Sequence, residues 1–260
     1  MVLMDSSNYT ITQLERVFVS GEIDSELLAS CHLDSRKAVV RLVRCYERAQ
    51  EERGRMLALY EYERMAWRRG HDMVAGVDEA GRGPLAGPVS VAAVILPHDL
   101  YLPKLNDSKK LSAKVREELF EEIQSKAISI ASVLVDAKTI DRINIYQATI
   151  NGMYEAIFSL AQEPQEVLID AMRLEKLPMR SQSIIKGDAK SASIAAASIV
   201  AKVTRDRLMD EYDKIYPVYG FAKHKGYGTA EHIAALKKYG PCPIHRVSFE
   251  PVRSMVRQSS

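Results

Sequence analysis

The chain has 260 residues, 36 Lys and Arg against 34 Asp and Glu, and 47% hydrophobic residues, enough for one large core or for one core with a small accessory unit. Its three cysteines, Cys31, Cys45 and Cys242, lie far apart with no Cys-x-x-Cys pair, which argues against a disulfide scaffold and a zinc knuckle. With no apolar run of about 18 residues and no basic start leading into an apolar segment, neither secretion nor membrane spanning is expected, and the protein is placed in the cytoplasm.

The formal charge of +2 conceals a gradient: residues 1–72 sum to −1, 73–179 to −4 and 180–260 to +7. A positive field in the last third would attract a polyanion such as nucleic acid, although exposed lysines also occur as plain solvated surface.

Residues 1–72 read as helices. Thr10 or Thr12 can cap a short helix through Val19, with Gln13 or Glu15 at the capping-box position and Gly21 as its stop. Asp24 and Ser25 precede a second, Glu26 to Cys31. Asp34 or Ser35 caps a third, whose apolar positions from Val39 to Tyr60 recur at spacings of three and four and which runs on toward Gly70. A helix of that length is expected to lean on the two short ones or to break near Gly54. The region reads either as a solvated bundle or linker, or as an accessory module that holds substrate.

At Met73 the pattern becomes extended. Met73 to Glu79 is a first strand and Pro88 to Leu96 a second, joined too closely for a crossover and therefore antiparallel. Ser112 caps a helix from Ala113 to Gln124, Ile128 to Val135 is a third strand, and helices follow at Thr139 to Asn144 and Tyr146 to Leu160. Glu166 to Ile169 and Ser183 to Lys186 are the fourth and fifth strands. A long helix, Ser191 to Ile215, starts with small residues, and Glu231 to Tyr239 is a last one. An antiparallel beginning followed by helix-linked strands predicts an α/β fold: a mixed five-stranded sheet covered by helices on both faces, forming a domain over 73–260 with a helical C-terminal part and preceded by the helical extension 1–72.

Four acids end apolar segments of this domain: Asp78 and Glu79 after Met73 to Val77, Asp170 after Val167-Leu168-Ile169, and Asp188 after Ile184-Ile185-Lys186-Gly187. Buried carboxylates must bind cations or take up protons. An all-oxygen set suits magnesium or manganese, and two such ions roughly 4 Å apart can create a hydroxide and steady the leaving alkoxide in phosphodiester cleavage. Neighbouring strand residues face opposite sides, so Asp78 and Glu79 converge only if the strand ends or twists there.

Other segments carry more than one reading. Gly81, Arg82 and Gly83 form either a hairpin turn or a backbone that approaches a sugar hydroxyl closely. The run Asn106-Asp107-Ser108-Lys109-Lys110-Leu111-Ser112 either cradles phosphate, through Asn106, Ser108, Lys109 and Lys110, or is a solvated loop. Lys186, Lys202 and Arg205 either meet a nucleic-acid backbone or pair on the surface. The loop Phe221 to Gly228 puts Lys225 beside Tyr227, an aromatic flanked by glycines and suited to stacking on a sugar or base.

These motifs, taken together, resemble the type 2 ribonuclease H family, bacterial ribonuclease HII. The similar stretches are Val77-Asp78-Glu79-Ala80-Gly81-Arg82-Gly83-Pro84, Leu105-Asn106-Asp107-Ser108-Lys109-Lys110-Leu111, Lys186-Gly187-Asp188, Ser191 to Asp206, Tyr219 to Tyr227, and His245-Arg246 with Ser248-Phe249, in the family's order over residues 73 to 252. The resemblance implies an RNase H-like fold and a nuclease with two Mg2+ or Mn2+ ions that cuts the RNA strand of RNA/DNA hybrids and cuts 5′ of single ribonucleotides in duplex DNA, leaving 3′-hydroxyl and 5′-phosphate ends, as in ribonucleotide excision repair. It implies that Asp78, Glu79, Asp170 and Asp188 are catalytic metal ligands, that Gly81, Arg82 and Gly83 read the 2′-hydroxyl, and that Tyr227 packs on the neighbouring deoxyribose. The chain departs from the family pattern at Ala171 and Met172, where glycine and asparagine are common, and at Gly228, where proline is usual. Two rivals are another RNase H-fold DNA nuclease or strand-transfer enzyme, and a noncatalytic nucleic-acid-binding protein. No clamp-binding tail is evident, no membrane partner is expected, and a monomer is the default.

Overall fold

A computed structural model of the chain describes residues 5–259. They form two compact units divided between Met56 and Leu57. The first holds helices α1 (Ile11–Ser20) and α2 (Ser25–Leu33) and most of α3 (Lys37–Leu59). Thr10 and Gln13 close a capping box on α1, which ends on Gly21 at φ 73°, and the Asp24 carboxylate caps α2. Leu14, Leu27, Cys31, Val39 and Val43 make its core. Arg36 bridges the Asp34 carboxylate at 2.6 Å and the main-chain oxygens of Ser6 and Tyr9, which ties the start of the unit to the turn before α3.

Helix α3 does not break at Gly54; it stops at Leu59, and α4 (Glu61–Trp67) follows. Gly54 is exposed, and a Cβ there would meet nothing within 4 Å, so no competing contact bends the helix at that point. The interruption falls inside the second unit, where the tail of the helical extension packs beside the sheet. Tyr60 gives its hydroxyl proton to the Leu100 carbonyl at 2.9 Å, Arg64 bridges Asp99, and Trp67 stacks on His98 at 4.0 Å. Residues 57–72 thus belong with the sheet, although their sequence pattern is helical and the change to strands comes only at Met73.

The second unit is built on a five-stranded sheet of β1 (Val74–Ala80), β2 (Val89–Ile95), β3 (Ser129–Val135), β4 (Glu166–Asp170) and β5 (Arg180–Ile184), ordered β3-β2-β1-β4-β5. β1 to β3 pair antiparallel, and β4 and β5 join in parallel, as the pattern predicts. Between the strands lie α5 (Ala113–Lys126), α6 (Ala137–Ile143) and α7 (Ile145–Phe158); after β5 come α8 (Ala192–Ile215), α9 (Phe221–His224), α10 (Ala230–Tyr239) and α11 (Val252–Ser259). Among the described residues no helix is long and apolar enough to cross a membrane.

Alternation divides β1 between two layers. Ala75 and Val77 join Val167, Ile169, Met153 and Ile157 on the α7 face. Val74, Gly76 and Asp78 face α8, where Val74 packs with Leu168, Ile184 and Ile194. A Cβ on Gly76 would lie 2.0 Å from the Ser193 carbonyl carbon, so the first turn of α8 rests directly on the β1 backbone. Glu63 of α4 seals that junction from the other side. Its buried Oε1 accepts the Ser191 hydroxyl at 2.6 Å and the Ser193 N–H at 2.8 Å, and burial raises its pKa. Carboxylate oxygens are favoured at a helix N-terminus, where the amides are unpaired.

Candidate active site

The acids meet where β1 and β4 end side by side. Val77 is in register with Ile169, so the next residues, Asp78 and Asp170, stand on the same face of adjacent parallel strands. Asp188 comes from the 3-10 turn Gly187–Ala189 immediately ahead of α8, and Asp170 Oδ1 accepts the Gly187 N–H at 2.7 Å, which ties that turn to the end of β4. One carboxylate oxygen from each of Asp78, Asp170 and Asp188 lies within 4.8 Å of the others.

Glu79 is not in that trio, because strand alternation sends it the other way. Its Oε1 is 3.5 Å from Arg82 Nη1, and its Oε2 is buried with no hydrogen-bond partner. Burial raises the Glu79 pKa, with Asp170 adding to the rise while Arg82 and Lys109 oppose it. An orphaned carboxylate oxygen next to three clustered carboxylates is a donor set that fits hard divalent cations.

Burial, followed by the charges of Glu79 and Asp170, holds the Asp78 carboxyl well above the usual range. Its Oδ1 accepts the Glu79 N–H at 2.7 Å, and the Ser198 hydroxyl of α8 also bonds to it. Asp188 is raised by burial, then by the charges of Asp107 and Asp170 and a hydrogen bond with Asp107. Lys109 is the compensating cation. Burial works against its charge, but Asp78, Asp107, Asp188 and Asp170 outweigh that and raise its pKa.

The other expected site residues separate into exposed ones and ones held by neighbouring groups of the protein. Lys110 and Lys186 are exposed, and Asn106 Oδ1 accepts the Asp107 N–H at 2.9 Å. Ser108 is buried, 2.8 Å from the Ser198 hydroxyl, so it acts on Asp78 through Ser198. Lys202 pairs with Asp206 at 2.7 Å and Lys225 with Asp210. Arg205 is 1% exposed and gives its hydrogen bonds to carbonyls, which removes it from direct contact with a ligand. Gly81 has φ 90° and is buried, Arg82 is partly exposed, and Gly83 is exposed, with a Cβ there 3.8 Å from the Tyr227 ring. The glycine loop and the tyrosine therefore share one surface, and Tyr227 is 46% exposed on it.

Three residues of this neighbourhood escape sequence reasoning. Asp107 stands in the expected phosphate-or-loop run with no role of its own, yet it caps the turn by accepting the Lys109 N–H at 2.9 Å and also reaches Asp188. Ser198 hides in a run of small helical residues. Arg246 is visible only as part of His245-Arg246, with nothing to mark it as buried.

The family model described as Ribonuclease HII matches residues 75–252. The chain belongs to the ribonuclease HII family. It is 50% identical over 248 residues to the ribonuclease HII of Acetivibrio thermocellus, covering 93% of this chain and 97% of that one, and 51% identical over 246 residues to that of Enterococcus faecalis, covering 93% and 96%. Coverage that high takes in most of the helical extension. Among solved structures it is similar to ribonuclease H2 of Pyrococcus horikoshii, with a TM-score of 0.61, 29% identity and coverage of 71% of this chain and 97% of that one. A second is the RNase HII of Archaeoglobus fulgidus in its complex with PCNA, with a TM-score of 0.58, 28% identity and coverage of 68% and 95%. The chain departs from the commoner family pattern at Ala171, which takes φ 49°, a left-handed conformation that glycine adopts without strain. Met172 is buried in the sheet core with its sulfur 3.6 Å from Arg82 Nη1. At Gly228, the Tyr227 backbone next to it is held by bonds to His224, Thr229 and His232.

Proposed function

We propose that the chain hydrolyses the RNA strand of RNA/DNA hybrids and cuts duplex DNA on the 5′ side of a single embedded ribonucleotide, leaving 3′-hydroxyl and 5′-phosphate ends. The observation that carries this reading is the trio Asp78, Asp170 and Asp188, whose oxygens lie within 4.8 Å at the ends of two parallel strands, in a chain that belongs to the ribonuclease HII family. Asp78, Glu79, Asp170 and Asp188 would hold two Mg2+ or Mn2+ ions. Such ions supply a hydroxide at neutral pH and stabilise the charge on the phosphorus and the leaving oxygen.

The chain's own residues supply position and selection. Ser198, buttressed by Ser108, orients the Asp78 carboxylate. Lys109, whose charge the acid cluster favours, and the exposed Lys110 and Lys186 would meet phosphates, together with Asn106. The loop Gly81, Arg82, Gly83 offers its backbone to the 2′-hydroxyl, the chemical difference between RNA and DNA. Tyr227, next to Gly83, packs on the adjoining deoxyribose and so selects an RNA-to-DNA junction. Lys202, Arg205 and Lys225 serve through the neighbours they hold. The helical extension acts as an accessory grip on the duplex, and the enzyme works as a monomer in the cytoplasm on ribonucleotides left in DNA.

Three matched duplexes test this: all DNA, DNA with one ribonucleotide, and full RNA/DNA hybrid, each incubated with Mg2+ or Mn2+ while the cut is mapped. Cleavage of the last two, 5′ of the ribonucleotide, is expected. Cutting of all-DNA duplex would favour a DNA nuclease or strand-transfer enzyme, and binding without cleavage in either metal would favour a noncatalytic role.

A further inference from the structure

Arg205 and Arg246 are 1% and 0% exposed, the two largest fully buried side chains among the described residues. A buried guanidinium normally has a carboxylate partner, because removing an unpaired charge from water is costly. These two spend six hydrogen bonds on main-chain oxygens. Arg205 donates from Nε to Pro88 O at 2.9 Å, from Nη1 to Lys225 O at 2.9 Å and from Nη2 to Ala86 O at 3.1 Å. Arg246 donates from Nε to Gly87 O at 3.0 Å, from Nη1 to Arg82 O at 2.8 Å and from Nη2 to Gly81 O at 2.6 Å.

All but one of those acceptors belong to the loop between β1 and β2, and the remaining one, Lys225, lies two residues before Tyr227. The Leu85 N–H donates to Gly226 O at 2.8 Å and the Arg246 N–H to Leu85 O at 2.8 Å, so the two loops and the arginines form one block. Steric fit closes it further. A Cβ on Gly81 would lie 2.0 Å from Arg205 Nε, and one on Gly226 would lie 2.5 Å from Ala86 O.

The direction of the bonds matters. With the carbonyls of Gly81 and Arg82 turned toward the forks, the opposite side of the loop presents amides, and the N–H groups of Arg82 and Gly83 have no acceptor among the described residues. Successive amides facing one way make a concavity that attracts an oxygen or an anion. Two buried cations behind it strengthen that polarity, since their nearest compensation is carbonyl dipoles. Burial, then the neighbouring Arg205 charge, pushes the Arg246 guanidinium down to about 9, so it stays charged at neutral pH.

We propose that Arg205 and Arg246 are positioning residues for ribose recognition: paired buried forks that hold the carbonyls of the Gly81 to Pro88 loop and of Lys225 inward, so that the loop amides and the Tyr227 ring meet a ribonucleotide in one fixed arrangement. This rests on the reading of Gly81 to Gly83 and Tyr227 as the ribose-reading surface. Lysine keeps the charge of arginine but lacks the planar fork, and can replace at most a fraction of three directed bonds.

The test compares full-length wild type with Arg246→Lys and Arg205→Lys, each checked for folding by circular dichroism and its thermal midpoint. With Ca2+ in place of Mg2+ to suppress turnover, Kd is measured for a duplex carrying one ribonucleotide and for the same duplex in all DNA. The variants are expected to lose about tenfold in the preference for the ribonucleotide, the scale of one or two hydrogen bonds, while affinity for all-DNA duplex stays within about threefold. A lowered midpoint with an unchanged preference would show that the arginines only brace the fold, and the proposal would be wrong. Failure of both variants to fold would overturn it in the same way. If wild type itself shows no preference, the ribose-reading surface is the error, and the proposal falls with it.

Discussion

Replacing Asp78 by Asn separates what the acid cluster does for catalysis from what it costs the fold. Asp78 is 3% exposed, with oxygens of Asp170 and Asp188 within 4.8 Å. At an effective dielectric near 20, two charges at that separation repel by about 3.5 kcal/mol. The metal-free protein avoids part of this by holding protons, and burial, with Glu79 and Asp170, raises the Asp78 pKa well above its ordinary value of 3.8. The native state therefore binds more protons than the unfolded chain between the ordinary and the raised value, and stability falls as pH rises through that window and stays low above it. Asparagine keeps an oxygen to accept the Glu79 N–H and offers its amide protons to the neighbouring carboxylates, so at pH 7 the metal-free variant is expected to gain about 2 kcal/mol, or about 4–8 °C in thermal midpoint. Cleavage is expected to fall by at least about a thousandfold, because a ligand charge is gone. Thermal denaturation in EDTA and in millimolar Mg2+ checks both: wild type should be stabilised by Mg2+ more than the variant. A well-folded variant that cleaves normally, or one that is less stable than wild type in EDTA and equally stabilised by Mg2+, would refute the reasoning.

Two further outcomes follow from the loop that carries Tyr227. Tyr227→Ala is expected to reduce cleavage at a single-ribonucleotide junction by about tenfold more than it reduces duplex binding, since stacking on a sugar or base is worth about 1–3 kcal/mol; equal losses in cleavage rates and gel-shift affinities would contradict a selective role. Behind that loop, His232 Nδ1 gives its proton to the Tyr227 carbonyl at 2.9 Å, which leaves Nε2 to accept from His245 Nε2 at 3.0 Å, and His245 Nδ1 in turn accepts the Cys242 N–H. Burial first, then the charge of His232, lowers His245 from 6.5 to about 4. The unfolded chain thus binds the extra proton between those values, so the stabilisation is complete above pH 6.5 and lost as pH falls toward 4, by about 3 kcal/mol in all. Urea unfolding across this range should show that slope in wild type and a flatter one in His245→Gln.

Much of this molecule is legible in the chain because its signals are local. Of the caps expected, Thr10 with Gln13, Asp24 and Ser112 stand at helix starts in the structure, and the short link between β1 and β2 fixes their antiparallel pairing. Three of the four expected acids converge because each closes an apolar strand or precedes a buried helix. What stays hidden depends on partners far away in sequence. Nothing near Glu63 shows that it will be buried against Ser191 and Ser193, more than 120 residues later. Arg205 has the look of an exposed helical cation at a nucleic-acid surface, and only the fold shows that carbonyls from another loop absorb its fork. The strand-end solution for Asp78 and Glu79 is half met: the backbone does turn at Gly81, but β1 keeps its pleat through Ala80 and holds Glu79 off the trio.

One element brings these pieces to a common frame. Helix α8 starts on the Gly76 backbone with its first turn held by Glu63, places Ser198 against Asp78 two turns along, and reaches Arg205 under the glycine loop two turns after that. At about 1.5 Å of rise per residue, Ser198 and Arg205 are separated by roughly 10 Å along the axis, and their side chains lie on one face because seven residues make nearly two turns. The distance between the acid cluster and the Gly81 to Gly83 loop is thus set by a rigid rod, which a flexible connection could not do. The small residues Ala192, Ser193, Ala195, Ala196 and Ala197 let that rod lie against the sheet, and a bulky residue in their place would lift both ends of the ruler at once. On the proposed reading of that loop as the ribose-reading surface, selectivity and cleavage would be coupled for that reason, because a ribose seated there would put its neighbouring phosphate at a fixed reach from the acids.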